Sequence, residues 1–259
     1  MARSADVLGN KPTRFPWPAD FPRVVVHCVD VKTRDGHALY LPAKSGSAEA
    51  ANDLARSLVS HSAIERIKTI LGGRDALLLP VIADEDMGFN AIPDGMAHVI
   101  ADRLNLSVVS GEITQTNKVG HTRAPSFQRI VTPAQFRGNV VEDANYVIID
   151  DHVGLGGTLA NLRGYLEANG GNVICMTTLT KSRDADQISL TPDTRTAIWS
   201  SHGQALDTFW QTEFGHGLDS LTELEALNLC RQPSVAGIKN FLAQAAIEAR
   251  GRGLGTAIE

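Results

Sequence analysis

The residues with the densest chemical content are Tyr146-Val-Ile-Ile-Asp-Asp-His-Val-Gly-Leu-Gly-Gly-Thr-Leu159. An apolar strand runs into two carboxylates, Asp150 and Asp151, then into a glycine-rich turn, then into Thr158 at the start of a helix. In an open parallel sheet ligands lie beyond the carboxyl ends of the strands, so both acids face a ligand. Successive strand side chains point to opposite faces, so the two acids diverge. Gly154, Gly156 and Gly157 let the backbone curl until several N–H groups face one point, where a helix N-terminus adds partial positive charge. His152, Val153, Gly154, Leu155, Gly156, Gly157 and Thr158 therefore form a candidate phosphate cradle, with Thr158 adding a hydroxyl and capping the helix. Carboxylates for vicinal hydroxyls beside a phosphate cradle describe ribose 5-phosphate. Other loops fit less well. A dinucleotide loop wants G-x-G-x-x-G directly after its strand, and a P-loop wants Lys beside the Ser or Thr, where this chain has Leu159.

The elements around this segment must position it. Ala76 to Ile82 is a short apolar run suited to a strand buried on both faces, and Leu106 to Val109 reads as another strand. Between them Pro93 to Leu104 is an amphipathic helix, with Met96, Val99, Ile100 and Leu104 on one side. Tyr146 to Ile149 is a strand, Thr158 to Asn169 a helix stopped by Gly170-Gly171, and Asn172 to Thr180 a further strand. This alternation predicts an α/β fold: an open, mostly parallel twisted sheet with helices on both faces. Upstream, Val24 to Val31 has strand composition, while Ala48 to Leu58 and Ser62 to Leu71 have helical spacing, the latter ending at Gly72-Gly73. Residues 111 to 138 are polar and without sustained period, which predicts a long loop of the kind that serves as a lid. Trp199 to Glu259 reads as mostly helical, with a capping box Thr222-Glu-Leu-Glu225. The expected division is an irregular arm over 1–22, an α/β domain over 23–198 with its core at 76–181, and a helical extension over 199–259 packed on that core.

Bulk composition narrows the partners. A formal charge of −5 with no cluster of Lys and Arg argues against nucleic acid. No apolar run approaches the roughly 20 residues that span a bilayer. Met1 to Thr13 lacks the apolar core of a signal peptide, so a cytoplasmic location is expected. Cys28, Cys175 and Cys230 lie far apart and read as isolated thiols, not a zinc or disulfide set. His216, between two glycines, reads as a turn histidine, and Trp210 as a core residue before a base-stacking one.

The segment from Tyr146 to Leu159 resembles the phosphoribosyl pyrophosphate (PRPP) signature of type I phosphoribosyltransferases: four apolar residues, two acids, a short small-residue loop, Gly, any residue, Thr. Asp150, Asp151, Gly156 and Thr158 match it. His152, Gly154 and Leu155 depart from it, and Leu155 lacks the hydroxyl that the family places there, which removes one phosphate hydrogen bond. Leu78 to Ala91 resembles the family's first strand and pyrophosphate loop, nearest to the ComF-like branch, with Gly88, Phe89 and Asn90 matching its Gly-Phe-Asn triplet. Asp84, Glu85 and Asp86 stand where that branch has basic residues, and they would repel pyrophosphate unless a divalent cation intervenes. The stretch from Gly111 to Phe136 occupies the place of the family's flexible catalytic loop, with Lys118, His121 and Arg123 as its candidate cations. Gln128, Arg129 and Phe136-Arg-Gly138 also echo the ComF-like pattern. The chain is similar besides to uncharacterised phosphoribosyltransferase-like proteins of bacteria and their mobile elements.

The resemblance implies a phosphoribosyltransferase core with a helical hood, PRPP and a nucleobase-like acceptor as ligands, and a role in nucleotide metabolism. It also implies a homodimer and Mg2+ held indirectly by Asp150 and Asp151. Two other classes remain open on the residues alone. One is a non-catalytic protein that binds PRPP or a nucleotide and signals; the other is an interaction protein that has kept the fold and lost the ligand.

Overall fold

The computed structural model describes residues 11–85, 88–120 and 124–255. Asp86, His121 and Arg123 lie outside the described residues, as do the first ten residues of the expected arm. In chain order the elements are β1 (Val25–Val26), α1 (Val31–Asp35), α2 (Tyr40–Lys44), α3 (Ala48–Leu58), α4 (His61–Leu71), β2 (Leu77–Pro80), β3 (Asp84–Glu85), β4 (Gly88–Phe89), α5 (Ile92–Leu104), β5 (Ser107–Val108) and β6 (Ile113–Gln115). There follow α6 (Ser126–Val131), β7 (Phe136–Gly138), β8 (Asn145–Val153), α7 (Gly157–Ala168), β9 (Asn172–Lys181), α8 (Pro192–Ser201), α9 (Gly203–Phe214), a 3-10 turn (Leu218–Ser220), α10 (Glu223–Cys230) and α11 (Val235–Gly251).

The fold class is α/β, built on a five-stranded sheet in the order β1-β9-β8-β2-β5 with every neighbouring pair parallel. Both faces are covered. Val147, Ile149, Cys175 and Leu179 pack with Leu54 of α3, Ile67 of α4 and Ile100 of α5 on one side. Tyr146, Ile148 and Met176 pack with Leu159, Leu162 and Leu166 of α7 on the other. From β2 the chain crosses through α5 to β5 on one flank, and later enters β8 on the other flank and proceeds through α7 to β9. The direction of winding therefore reverses between β2 and β8, and an open α/β sheet opens its crevice at such a point, beyond the strands' carboxyl ends.

Helix boundaries follow local chemistry. Ser47 and Ser60 cap α3 and α4 by accepting the N–H of Ala50 and Ala63, and Gly72 ends α4 in the left-handed region at φ 57°. Thr222 and Glu225 form the reciprocal capping box expected at α10. Three expectations are corrected. The strand composition of Val24 to Val31 yields only β1, because Asp30 accepts the Lys32 N–H and starts α1. The predicted long loop contains the antiparallel pair β6–β7 and the helix α6, whose buried Ile130 and Val131 belong to the apolar cluster of α8 to α11. Those two residues supply the tertiary burial that a window lacking internal periodicity could not reveal. The helical tail begins at Pro192, where Thr191 accepts the Thr194 N–H as cap.

The segment from Lys11 to Phe21 has no regular structure but is fixed across α7. The Arg163 guanidinium donates to the carbonyls of Phe15 and Pro16 at 3.2 Å each and lies 4.6 Å from the Trp17 ring centre. Gly164 makes the crossing possible, since a Cβ there would run into the Thr13 carbonyl oxygen. Trp17 is pinned at its far end by donating to the Leu221 carbonyl at 2.8 Å. Of the two residues read as structural, Trp210 is buried and stacked on Phe214 at 4.3 Å, and His216 is buried in its turn. Among the described residues no helix is long and apolar enough to cross a membrane.

Candidate functional site

β8 is longer than the apolar run that announced it: it continues through Asp150, Asp151 and His152 to Val153. The ladder to β9 sustains the extension, pairing Asp150 with Thr178 and His152 with Thr180. Both acids thus sit on regular strand, and the carboxylate of Asp151 leaves it toward α2. There Asp151 Oδ2 accepts from Lys44 Nζ at 3.2 Å. Asp150 Oδ1 accepts the Asp151 N–H at 2.8 Å, which fixes its own carboxylate against the backbone. Burial by itself would raise the Asp151 carboxyl, but Lys44 and Arg34 outweigh it, so the group is held below the usual carboxylate range.

The ring of His152, expected in the phosphate cradle, is engaged in a hydroxyl network. Its Nδ1 meets Thr180 Oγ1 at 2.9 Å and its Nε2 meets Ser182 Oγ at 3.1 Å. Thr180 Oγ1 also accepts from Arg34 Nη1 at 2.6 Å. Burial, then Arg34, lowers the His152 pKa, which keeps the ring neutral near pH 7. Val153 is buried in the cluster beneath α7. The curl therefore begins at Gly154.

From Gly154 to Gly157 the chain makes the turn that starts α7. Gly156 is its N-cap, at φ 84°, where a Cβ would be strained. The helix thus takes its cap from backbone geometry, and Thr158, expected to cap it, lies one residue inside its first turn. Among the described residues no acceptor meets the N–H groups of Gly154, Leu155, Gly156, Gly157 or Thr158. Gly154, Leu155, Gly157 and Thr158 are partly exposed, so these groups are not sealed in a core. A curl of N–H donors at a helix N-terminus is an arrangement whose electrostatics favour an anion.

The outer side of the turn is held by residues distant in sequence. Thr222 Oγ1 donates to the Leu155 carbonyl at 2.6 Å while accepting the Glu225 N–H at 3.2 Å. Arg14 spans from Asn161 Oδ1 at 2.6 Å to Glu225 Oε2 at 2.6 Å. Burial alone would raise the Glu225 carboxyl, and Arg14 overrides it and holds it low. His216, beside this pair, has its pKa lowered to about 4 by burial and then by Arg14. On the inner side stands α6, with the Arg129 guanidinium in the space a Gly154 side chain would fill.

The other expected site residues gather at the same end of the sheet to differing degrees. Asp84, Glu85 and Gly88 lie in the hairpin of β3 and β4, with Glu85 opposite Gly88. That hairpin follows β2, the neighbour of β8, and it runs beside α2, since the Ala91 N–H donates to the Ala43 carbonyl at 3.1 Å. Asn90 is buried and its Oδ1 accepts the Ile92 N–H at 3.2 Å, so it shapes the entry to α5. Lys118 is exposed, and its carbonyl accepts the Gly255 N–H at 2.8 Å.

Sequence reasoning missed Lys44, Arg34, Arg14 and Thr222 as parts of this site. Lys44 stands 107 residues from Asp151, and no spacing rule connects them. Thr222 was visible as a cap, but the second hydrogen bond of its hydroxyl could not be read from the capping box.

Comparison with known proteins gives two sequence relatives. The chain is 39% identical over 243 residues to the Escherichia coli "Protein TraN", covering 94% of this chain and 54% of that one. It is also 39% identical over 155 residues to an uncharacterised protein of Haemophilus influenzae, covering 59% of this chain and 34% of that one. It thus spans about half the length of the first relative and about a third of the second. No family model matches the chain. Among solved structures, the adenine phosphoribosyltransferase of Leishmania tarentolae aligns over 76% of this chain and 79% of its own, at 17% identity and a TM-score of 0.33.

Proposed function

We propose that the chain binds PRPP with magnesium and transfers its ribose 5-phosphate to a nitrogenous base, releasing pyrophosphate. One observation carries the reading. Two acids at the end of the central strand β8 lie directly beside a turn whose successive N–H groups, from Gly154 to Thr158, have no acceptor among the described residues. That juxtaposition suits a sugar with vicinal hydroxyls and a terminal phosphate. It sits at the reversal of the sheet, where a ligand crevice is expected. The signature matched by Asp150, Asp151, Gly156 and Thr158 supports the same ligand.

On this reading the 5-phosphate lies on the amides of the turn, and the ribose hydroxyls donate to Asp150 and Asp151. The bond from the anomeric carbon to pyrophosphate breaks as the base nitrogen approaches, through an oxocarbenium-like state. Positioning and charge neutralisation carry such chemistry more than a strong base does. The carboxylates favour the cationic ring. Lys44, beside the β3–β4 hairpin, is placed to follow the departing pyrophosphate, and its pairing with Asp151 holds it near until then. Lys118 and the neighbouring chain would exclude water.

The donor set fits magnesium in a particular way. Asp150 and Asp151 offer hard oxygen atoms, but from opposite faces of a strand, so they would reach one ion through ribose hydroxyls or water. Bound on the substrate's oxygens, the ion would neutralise pyrophosphate charge.

A second reading is a protein that binds PRPP and signals without turnover. Leu155 brings no hydroxyl to the turn, and Asp151 is engaged by Lys44, which motivates it. Titration calorimetry with PRPP and Mg2+, followed by a pyrophosphate-release screen over nucleobases, decides between the two. Release with one base establishes the transferase. Binding without release with any base favours the signalling protein, and absence of binding removes both.

A further inference from the structure

Among the described residues, the buried and half-buried arginines are paired with carboxylates, with one exception. Arg14 meets Glu225 at 2.6 Å, Arg34 meets Asp35 at 2.7 Å and Arg163 meets Glu167 at 2.7 Å. Arg129 is also half-buried, yet among the described residues no carboxylate pairs with it. Its Nε donates to the Ala124 carbonyl at 3.0 Å, and no acceptor meets its two terminal nitrogens. Burial lowers its pKa, so the position costs the guanidinium solvation that no protein anion returns.

Its place is fixed from behind. Ile130 and Val131 root α6 in the apolar cluster of α8 to α11, and Gln128, also buried, is held by Arg252. The Thr132 hydroxyl ties the end of α6, within donating reach of the Gln128 carbonyl at 2.8 Å or the Val119 carbonyl at 3.1 Å. A helix fixed in this way brings Arg129 to the glycine turn, where a Cβ at 154 would lie 2.4 Å from its Nη1 and push the guanidinium aside. The guanidinium therefore stands beside Gly154, at the start of a turn whose N–H groups also meet no acceptor among the described residues. A guanidinium and a run of backbone donors share one class of ligand, an anion with several acceptor oxygens.

We propose that Arg129 is the side-chain ligand of the phosphate in the 154–158 turn, supplying from α6 the contact that Leu155 cannot. This rests on the reading of that turn as a phosphate cradle and names the cation that completes it. A planar guanidinium can give two parallel hydrogen bonds to phosphate oxygens, which backbone amides alone do not. The helical part of the chain would then contribute directly to the ligand site. Two departures in the signature, Gly154 and Leu155, receive one explanation.

The test titrates the full chain and its Arg129→Met, Arg129→Lys and Gly154→Ala variants with ribose 5-phosphate, ribose and inorganic phosphate, with melting temperatures as the folding control. Arg129→Met is expected to weaken ribose 5-phosphate roughly ten- to hundred-fold while leaving ribose unchanged, since a hydrogen bond to a charged group is lost. Arg129→Lys should recover part of that loss, and Gly154→Ala, which displaces the guanidinium without removing its charge, should reproduce part of it. A folded Arg129→Met protein that binds ribose 5-phosphate as tightly as the parent overturns the proposal. If the parent binds inorganic phosphate but not ribose 5-phosphate, the ribose reading fails. Arg129 then stands or falls on whether Arg129→Met weakens inorganic phosphate. A parent that binds none of the three overturns both.

Discussion

At the carboxyl end of β8, Asp151 is met by Lys44 at 3.2 Å, whereas a few residues on, the N–H groups of the glycine turn meet no acceptor among the described residues. The two ends of one site are therefore prepared differently. The acid end carries its own counter-charges, Lys44 and Arg34, so on the proposed reading a sugar would exchange contacts there, displacing or recruiting Lys44. The glycine end carries donors without acceptors, with Thr222 and Arg14 holding the turn by the Leu155 and Gly157 carbonyls, so on the proposed reading a phosphate would dock with little rearrangement. A preorganised phosphate end can anchor a ligand while the acid end remains adjustable during bond breaking.

The sharpest way to break this contrast is to loosen the glycine end from behind. Arg14→Ala leaves the buried Glu225 carboxylate without its partner, and such losses cost about 3–5 kcal/mol. Chemical denaturation should show that drop, with phosphate affinity falling alongside it. Acid should act on the same region. His216 is neutral in the fold, its pKa lowered to about 4 by burial and Arg14, whereas the unfolded chain takes up a proton near 6.5. The unfolded state therefore gains protons first as pH falls, and stability declines from about pH 6.5 to about 4 by ~3 kcal/mol, at ~1.4 kcal/mol per unit. His27, its pKa also lowered to about 4 by burial, adds to the same slope, so His216→Gln should flatten a melting-temperature profile without abolishing its decline.

The acid end is sharpened by Asp151→Asn, which keeps the shape and removes the charge. Turnover of PRPP should fall on the order of a hundred-fold, worth ~3 kcal/mol, while binding of inorganic phosphate stays near the parent value. Loss of both together would show that the two ends are not separable. The smallest effect is expected from Gly156→Ala, where the left-handed backbone at φ 84° costs ~1 kcal/mol and the curl of the amides shifts. Stability should change little there, and phosphate affinity more.

What could be read from sequence divides along a similar line. Local rules sufficed for α3, whose Ala48–Leu58 bounds the helical spacing marked, and for the capping box of Thr222 and Glu225. They sufficed for the strand–glycine–helix order of β8 and α7 because the glycine at the junction, Gly156, has a local backbone reason, its φ of 84°. They failed for α6, whose apolar residues face a distant cluster and show no period of their own. They placed the end of β8 too early because Asp and His are poor strand formers, and here the ladder to β9 overrides that preference. Lys44 and Arg34 were invisible for a simpler reason: they reach Asp151 from separate elements, and only the fold sets their distances.

The extended segment from Lys11 to Phe21 also has a consequence for how the molecule is made. Arg14 finds its two side-chain partners 147 and 211 residues further along the chain. It leaves the ribosome long before either exists. Contacts of such long sequence separation form late, so the strap is expected to close over α7 only after α10 has been synthesised. Trp17, which packs against the Arg163 guanidinium once the strap has closed, is expected to report that closure by its fluorescence.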